Sequence, residues 1–147
     1  MTFPPPALLL AAGLCLVALT APAQTREEYE KANPHPPLEA LPTVTVQSQD
    51  AREATIRVVN GTPHDLAYDE WTIAPVFHWE EKSGANWTFR PSPICSLSWK
   101  ANTLRAGEHL DFIVRLSPHE APTTAYLKLR TVNGDKLSYL KIYEFKP

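Results

Sequence analysis

Two runs of alternating side chains, Thr123 to Val132 and Asp135 to Phe145, meet at Asn133-Gly134. Asn and Gly tolerate the positive φ that both central positions of a type I′ turn require, and that turn matches the twist of paired strands. With Val132 and Asp135 flanking a two-residue loop, Leu129 faces Ser138, Leu127 faces Leu140 and Ala125 faces Ile142, which makes one apolar face. The alternate partners, Arg130 with Leu137, Lys128 with Tyr139 and Tyr126 with Lys141, make an amphipathic outer face whose long stems can lie over rings. A hairpin of this kind is not stable alone in water, so the rest of the chain must supply sheet to cover it.

From Thr43 onward the sequence does so. Thr43 to Gln47 alternates, and Ala54, Ile56 and Val58 share a face before Asn60-Gly61-Thr62-Pro63 ends the run with turn chemistry. Leu66 to Ile73, Val76 to Glu81 and Trp87 to Arg90 follow, and Ile94 to Trp99 reads as a short strand or an irregular crossing. Ala106-Gly107-Glu108 then turns the chain into Leu110 to Leu116, where every second residue is apolar. Short strands at regular intervals, with no stretch of helical period, predict an all-β fold: an antiparallel β-sandwich of roughly seven to nine strands spanning residues 43–147.

The N-terminal third has a different character. Ala7 to Leu19 is an almost unbroken apolar run followed by Ala21-Pro22-Ala23, which reads as a signal peptide over residues 1–23 and predicts an extracytoplasmic, secreted or periplasmic protein. The run is shorter than the roughly 20 apolar residues of a spanning helix, so no stable membrane span is expected once it is removed. Residues 24–42 read as a proline-rich tail. Thr25-Arg26-Glu27-Glu28 has the spacing of a capping box, allowing a turn or two of helix up to Ala32, and the prolines from Pro34 to Pro42 then favour an extended, semi-rigid spacer.

Charge and cysteine content narrow the functions. The net charge is −2 and no basic run is present to track a phosphate backbone, so nucleic acid is not an expected partner. Beyond the apolar leader only Cys95 remains, which rules out an intramolecular disulfide and reads as a buried small hydrophobe or, alternatively, an intermolecular bridge or reactive thiol.

The segment Ala54-Thr55-Ile56-Arg57-Val58-Val59-Asn60-Gly61-Thr62, the cluster Phe77-His78-Trp79-Glu80 with Gly84 and Trp87, and Leu104-Arg105-Ala106-Gly107-Glu108 leading into Leu110 and Phe112 together resemble the small immunoglobulin-like domains of exported bacterial proteins. The same order is similar to that of the subtilisin-type intracellular proteinase inhibitor domain, from which the chain departs by its leader and its Pro91 to Pro93 insertion. The resemblance covers roughly residues 43–116. It implies an immunoglobulin-like sandwich serving an adhesive, inhibitory or structural role, and does not choose among these. The Cys, Trp, Cys spacing of antibody domains is absent.

Candidate sites follow from the aromatic residues. Phe77, Trp79 and Trp87 are expected in core or hairpin packing, whereas Trp71 follows Asp69-Glu70 and Trp99 precedes Lys100, making these two the candidate exposed platforms for a protein or carbohydrate partner. Arg90-Pro91-Ser92-Pro93-Ile94 is a proline-stiffened loop; Arg90 and Ile94 are the contacts it would offer to a protease if the domain were an inhibitor. Five scattered histidines show no ligand spacing, and His64-Asp65 with Asp69-Glu70 is the one local grouping, so neither metal nor cofactor is expected. No nucleophile elbow occurs around Ser96 or Ser98, and Glu80 and Glu81 would point to opposite faces of a strand. The expected function is a non-enzymatic binding or interaction module, with a proteinase inhibitor or a purely structural extracytoplasmic protein as alternatives.

Overall fold

The computed structural model describes residues 23–71, 74–91, 99–115 and 123–145. The expected leader up to Pro22, Ile94 and Cys95 lie outside the described residues. One short helix, α1 (Arg26–Ala32), precedes ten strands: β1 (Thr43–Gln49), β2 (Glu53–Val59), β3 (Leu66–Trp71), β4 (Ala74–Pro75), β5 (Phe77–Ser83), β6 (Asn86–Pro91), β7 (Trp99–Leu104), β8 (His109–Arg115), β9 (Thr123–Thr131) and β10 (Leu137–Phe145). All but the two-residue β4 are at least six residues long, and every pairing is antiparallel. The fold is an all-β sandwich.

One layer is β1-β2-β8 and the other is β4-β3-β9-β5-β6, with β10 added to β9 and β7 to β3. β9 organises the larger layer. It pairs with β10 along one edge; along the other it takes β5 over Thr123 to Leu127 and β3 at Arg130 and Thr131. In the larger layer β10, β9, β5 and β6 follow one another as neighbours, with β3, β4 and β7 continuing it beyond β9. The core lies between the layers: Ala54, Ile56, Val58, Phe112 and Val114 meet Leu66, Tyr68, Leu127, Leu129 and Leu140. Phe77 closes against Phe112 with ring centroids 5.3 Å apart and carries Trp79 edge-on at 6.1 Å, so both rings pack as their alternation predicts.

The hairpin register follows the prediction from Arg130–Leu137 to Tyr126–Lys141. Its turn does not. The Gly134 N–H donates to the Thr131 carbonyl at 2.8 Å and the Thr131 N–H to the Lys136 carbonyl at 3.1 Å, so the loop holds four residues rather than two. Only Gly134, at φ 77°, needs to be glycine for conformational reasons, and the register survives because both loops close the same diagonal of pairs. Beyond Lys141 a bulge places Tyr143, not Ile142, opposite Ala125. Successive residues Ile142 and Tyr143 thereby both pack against the core, at the cost of one ladder position.

The proline-rich segment is where the structure departs most from the sequence expectation. The capping box forms as predicted, with the Thr25 N–H donating to Glu28 Oε2 at 2.8 Å and the Glu28 N–H to Thr25 Oγ1 at 3.2 Å. The segment is not a free spacer, however. The Phe89 N–H on β6 donates to the Gln24 carbonyl (2.7 Å) and the Leu137 N–H on β10 donates to the Pro36 carbonyl (2.9 Å), so the segment straps the larger layer from one edge to the other. Between these anchors Tyr29 sits on Phe89 (5.2 Å) and Tyr139 (6.1 Å). Prolines suit this path because an extended backbone crossing strands at their edges has no ladder of its own to complete.

Candidate functional site

An open cleft of about 870 Å³ lies at the end of the sandwich where three segments meet: the β2–β3 loop, the β9–β10 turn and the last stretch of the strap. Each wall is fixed by buried or local bonds. Asn60, fully buried, donates from Nδ2 to the carbonyls of His64 and Leu104, both at 2.9 Å, and its Oδ1 accepts from the Thr62 N–H (3.1 Å) and hydroxyl (2.7 Å). The Asn60 carbonyl takes the Gly107 N–H at 2.7 Å, and Gly107 has the positive φ, 82°, expected of the Ala106-Gly107-Glu108 turn. The buried amide spends its oxygen and one hydrogen on the β2–β3 loop and its other hydrogen on the end of β7, which pins the loop to the sheet. His64 and Asp65 are therefore held at the cleft, with Asp65 Oδ1 also accepting from the Ala106 N–H at 2.9 Å.

The second wall is the hairpin turn, in which the Thr131 hydroxyl donates to Asp135 and accepts from the Lys136 N–H at 3.1 Å. That hydroxyl holds the Asp135 carboxyl below the ordinary carboxylate range. Leu38, Glu39 and Ala40 make the third wall, docked by the Leu38 N–H to Ser138 Oγ at 3.0 Å and by Lys136 Nζ to Glu39 at 2.5 Å. Apolar surface lies exposed at this end: Val132 lines the cleft at 60% exposure, and Leu41, next to the lining residue Ala40, is 50% exposed.

The outer face of the larger layer holds a second group, beneath the strap. His78, only 7% exposed, stacks on Phe89 (5.7 Å) and meets Tyr139 edge-on (5.0 Å), and its Nδ1 has no hydrogen-bond partner. Burial, aided by Lys128 and opposed by Asp69, lowers the His78 pKa to about 4. Asp69, 5% exposed, accepts from Arg130 Nη1 at 2.9 Å and lies 3.9 Å from Lys128 Nζ. Tyr126 donates its hydroxyl to Glu80 at 3.1 Å, and burial together with that carboxylate pushes its pKa up to about 12. A shallow cleft of about 320 Å³ reaches Tyr126 and Glu80 beside Arg26 and Trp87, whereas His78, Phe89 and Tyr139 do not line it. They are packing.

The residues singled out from the sequence are distributed as follows. Trp71 and Trp99 stand directly opposite each other in the β3–β7 register, so the two candidate platforms occupy one cross-strand position. Arg90 is on β6 opposite Trp79, on a strand paired with β5 and not with β3 or β7, and Ile94 falls outside the described residues. The His64-Asp65-Asp69-Glu70 grouping separates: the first two border the cleft, Asp69 is bound under the strap, and Glu70 accepts from Asn102 at 2.6 Å. Among the described residues no three His, Cys, Asp or Glu side chains converge on a metal position, and no helix is long and apolar enough to cross a membrane. The cleft residues Leu38, Glu39, Val132 and Lys136 were not legible as a set, because they come from opposite ends of the chain; the one local sign is an apolar Val132 beside the Asn-Gly turn.

No family model and no curated protein matches the chain. Among solved structures, the crystal structure of the "Putative ApaA Protein" from Bordetella pertussis is similar, with a TM-score of 0.41 and 18% identity over 76% of this chain and 94% of that one. Nothing about the cleft follows from a likeness this distant.

Proposed function

We propose that this chain is an exported, non-enzymatic binding module that holds a protein partner at the cleft between the β2–β3 loop and the β9–β10 turn. The observation that carries the reading is Val132, 60% exposed at the tip of a turn and lining a concave surface whose walls are fixed. Exposed apolar groups beside a pre-formed cleft mark interaction surfaces, because covering them returns hydrophobic free energy without the entropy of ordering loops. Aliphatic walls made by Leu38, Pro63 and Val132 favour side chains of a protein over a sugar, whose faces are better met by flat rings. Export rests on the apolar run from Ala7 to Leu19 with its Ala21-Pro22-Ala23 boundary.

The test is photo-crosslinking in the extracytoplasmic fraction with a benzophenone amino acid at Leu41, and with Ile113 on the opposite layer as control. A discrete adduct from position 41 that disappears in Val132→Asp, with the unfolding midpoint unchanged, is the expected outcome. Identical adducts from both positions would remove the cleft as the binding site.

A further inference from the structure

Resting on the reading that the cleft holds a protein partner, we infer that the partner enters it with a basic side chain, a lysine or arginine flanked by apolar residues. The charges around the cleft are not equivalent. Glu39 is matched by Lys136 Nζ at 2.5 Å, which leaves that pair neutral. Asp65 accepts from the Ala106 N–H and Asp135 from the Thr131 hydroxyl, with Asn133 beside it; Lys136 acts on Asp135 from beyond ion-pair distance, so one cation is shared among the three carboxylates Glu39, Asp65 and Asp135 and the cleft keeps a negative excess. A neutral donor orients a carboxylate without cancelling its charge.

These two carboxylates stand on different walls, Asp65 on the β2–β3 loop and Asp135 on the hairpin turn, with the aliphatic groups of Leu38, Pro63 and Val132 bordering the same cleft. Lysine and arginine are the side chains that combine an apolar stem with a cationic head. The stem covers the aliphatic wall while the head meets the carboxylates, so both features of the cleft are used by one residue. His64 also borders the cleft, beside Asp65 on the β2–β3 loop.

The experiment follows backbone amide shifts of the 15N-labelled protein during titration with three acetylated, amidated tripeptides, Leu-Lys-Leu, Leu-norleucine-Leu and Leu-Glu-Leu. Saturable shifts confined to residues 62–66 and 131–136 are expected with the lysine peptide. Affinity should exceed that of the norleucine peptide by about tenfold at low salt and fall several-fold as salt is raised. D65N/D135N, which keeps both hydrogen-bond acceptors, should erase that advantage while leaving the remaining spectrum in place. Equal binding of the lysine and norleucine peptides would overturn the basic partner while leaving the cleft as a binding site; tighter binding of the glutamate peptide would do the same. Absence of localised shifts with all three at millimolar concentration would overturn both.

Discussion

On β2 and β8 the side chains that point away from the core pair with one another in solvent: Arg57 forks onto Asp111 at 2.8 and 2.6 Å, and Arg115 reaches Glu53 at 2.7 Å. On β9 and β10 the corresponding positions carry Tyr126, Lys128, Arg130 and Tyr139; Tyr29 of the strap packs on Tyr139, and Arg26 lies over the Tyr126 ring at 5.4 Å. Strand alternation is the same in both layers; among the described residues only one is roofed by another segment. The difference decides where a charge matters. Exposed pairs exchange one set of water contacts for another and contribute little, whereas Asp69 and His78 are buried where solvent cannot replace a lost partner.

The roofed face should therefore be the costly one to disturb. Phe89→Ala, which removes a ring touching Tyr29, Tyr126, Tyr139 and His78, should lower the stability measured by urea unfolding by about 3–5 kcal/mol. A loss no larger than that of an exposed ring would mean that the strap does not seal this face.

Acid should act on the same face. The unfolded chain takes up a proton on His78 near its ordinary value, and the folded chain does so only at about pH 4. Stability from this group is thus fully present above about pH 6.5 and declines by about 3 kcal/mol as the pH falls to about 4. His78→Phe should flatten that part of the stability profile; an unchanged slope would assign it to other groups.

Asp69→Ala leaves Arg130 and Lys128 without their shared, buried anion, and about 2 kcal/mol is expected to be lost, discounted because both cations are a quarter exposed. Thr25→Ala removes one half of the capping box, worth about 1 kcal/mol to α1, and should appear as roughly fivefold faster hydrogen exchange at the Phe89 amide, with little change in global unfolding. Arg57→Ala, on the unroofed face, should leave the unfolding midpoint where it is. A measurable drop there would erase the contrast between the layers.

Much of the sandwich is legible in the sequence because alternation reports a strand's own two faces. Ala54, Ile56 and Val58, then Phe112 and Val114, then Leu127 and Leu129 all turn inward as their spacing requires. What alternation cannot report is a partner far along the chain. Tyr29 lies in the short helix that the capping box predicts within an N-terminal tail, and that it docks depends on Phe89 and Tyr139 far along the chain. β7 likewise has weak strand formers in Lys100, Ala101 and Asn102, and is a strand because β3 supplies its ladder. The bulge after Lys141 is hidden for a related reason: Ile142 and Tyr143 are both apolar, so neither face is marked as wrong. Of the cleft, the turn chemistry of Asn60-Gly61-Thr62-Pro63 and of Asn133-Gly134 is readable, but their meeting with Leu38 and Glu39 is a property of the assembled fold.

The strap also sets an order of events. Gln24 and Pro36 are synthesised well before their backbone partners, Phe89 some 65 residues after Gln24 and Leu137 about 100 after Pro36. Until β10 has paired with β9, the segment has nothing to bridge, and the outward edges of β6 and β10 lack the cover it gives them. The interval between release of the chain and docking of its own N-terminal segment is then the period in which these strands are open to a neighbour's edge, and a chaperone that held the segment back would lengthen it.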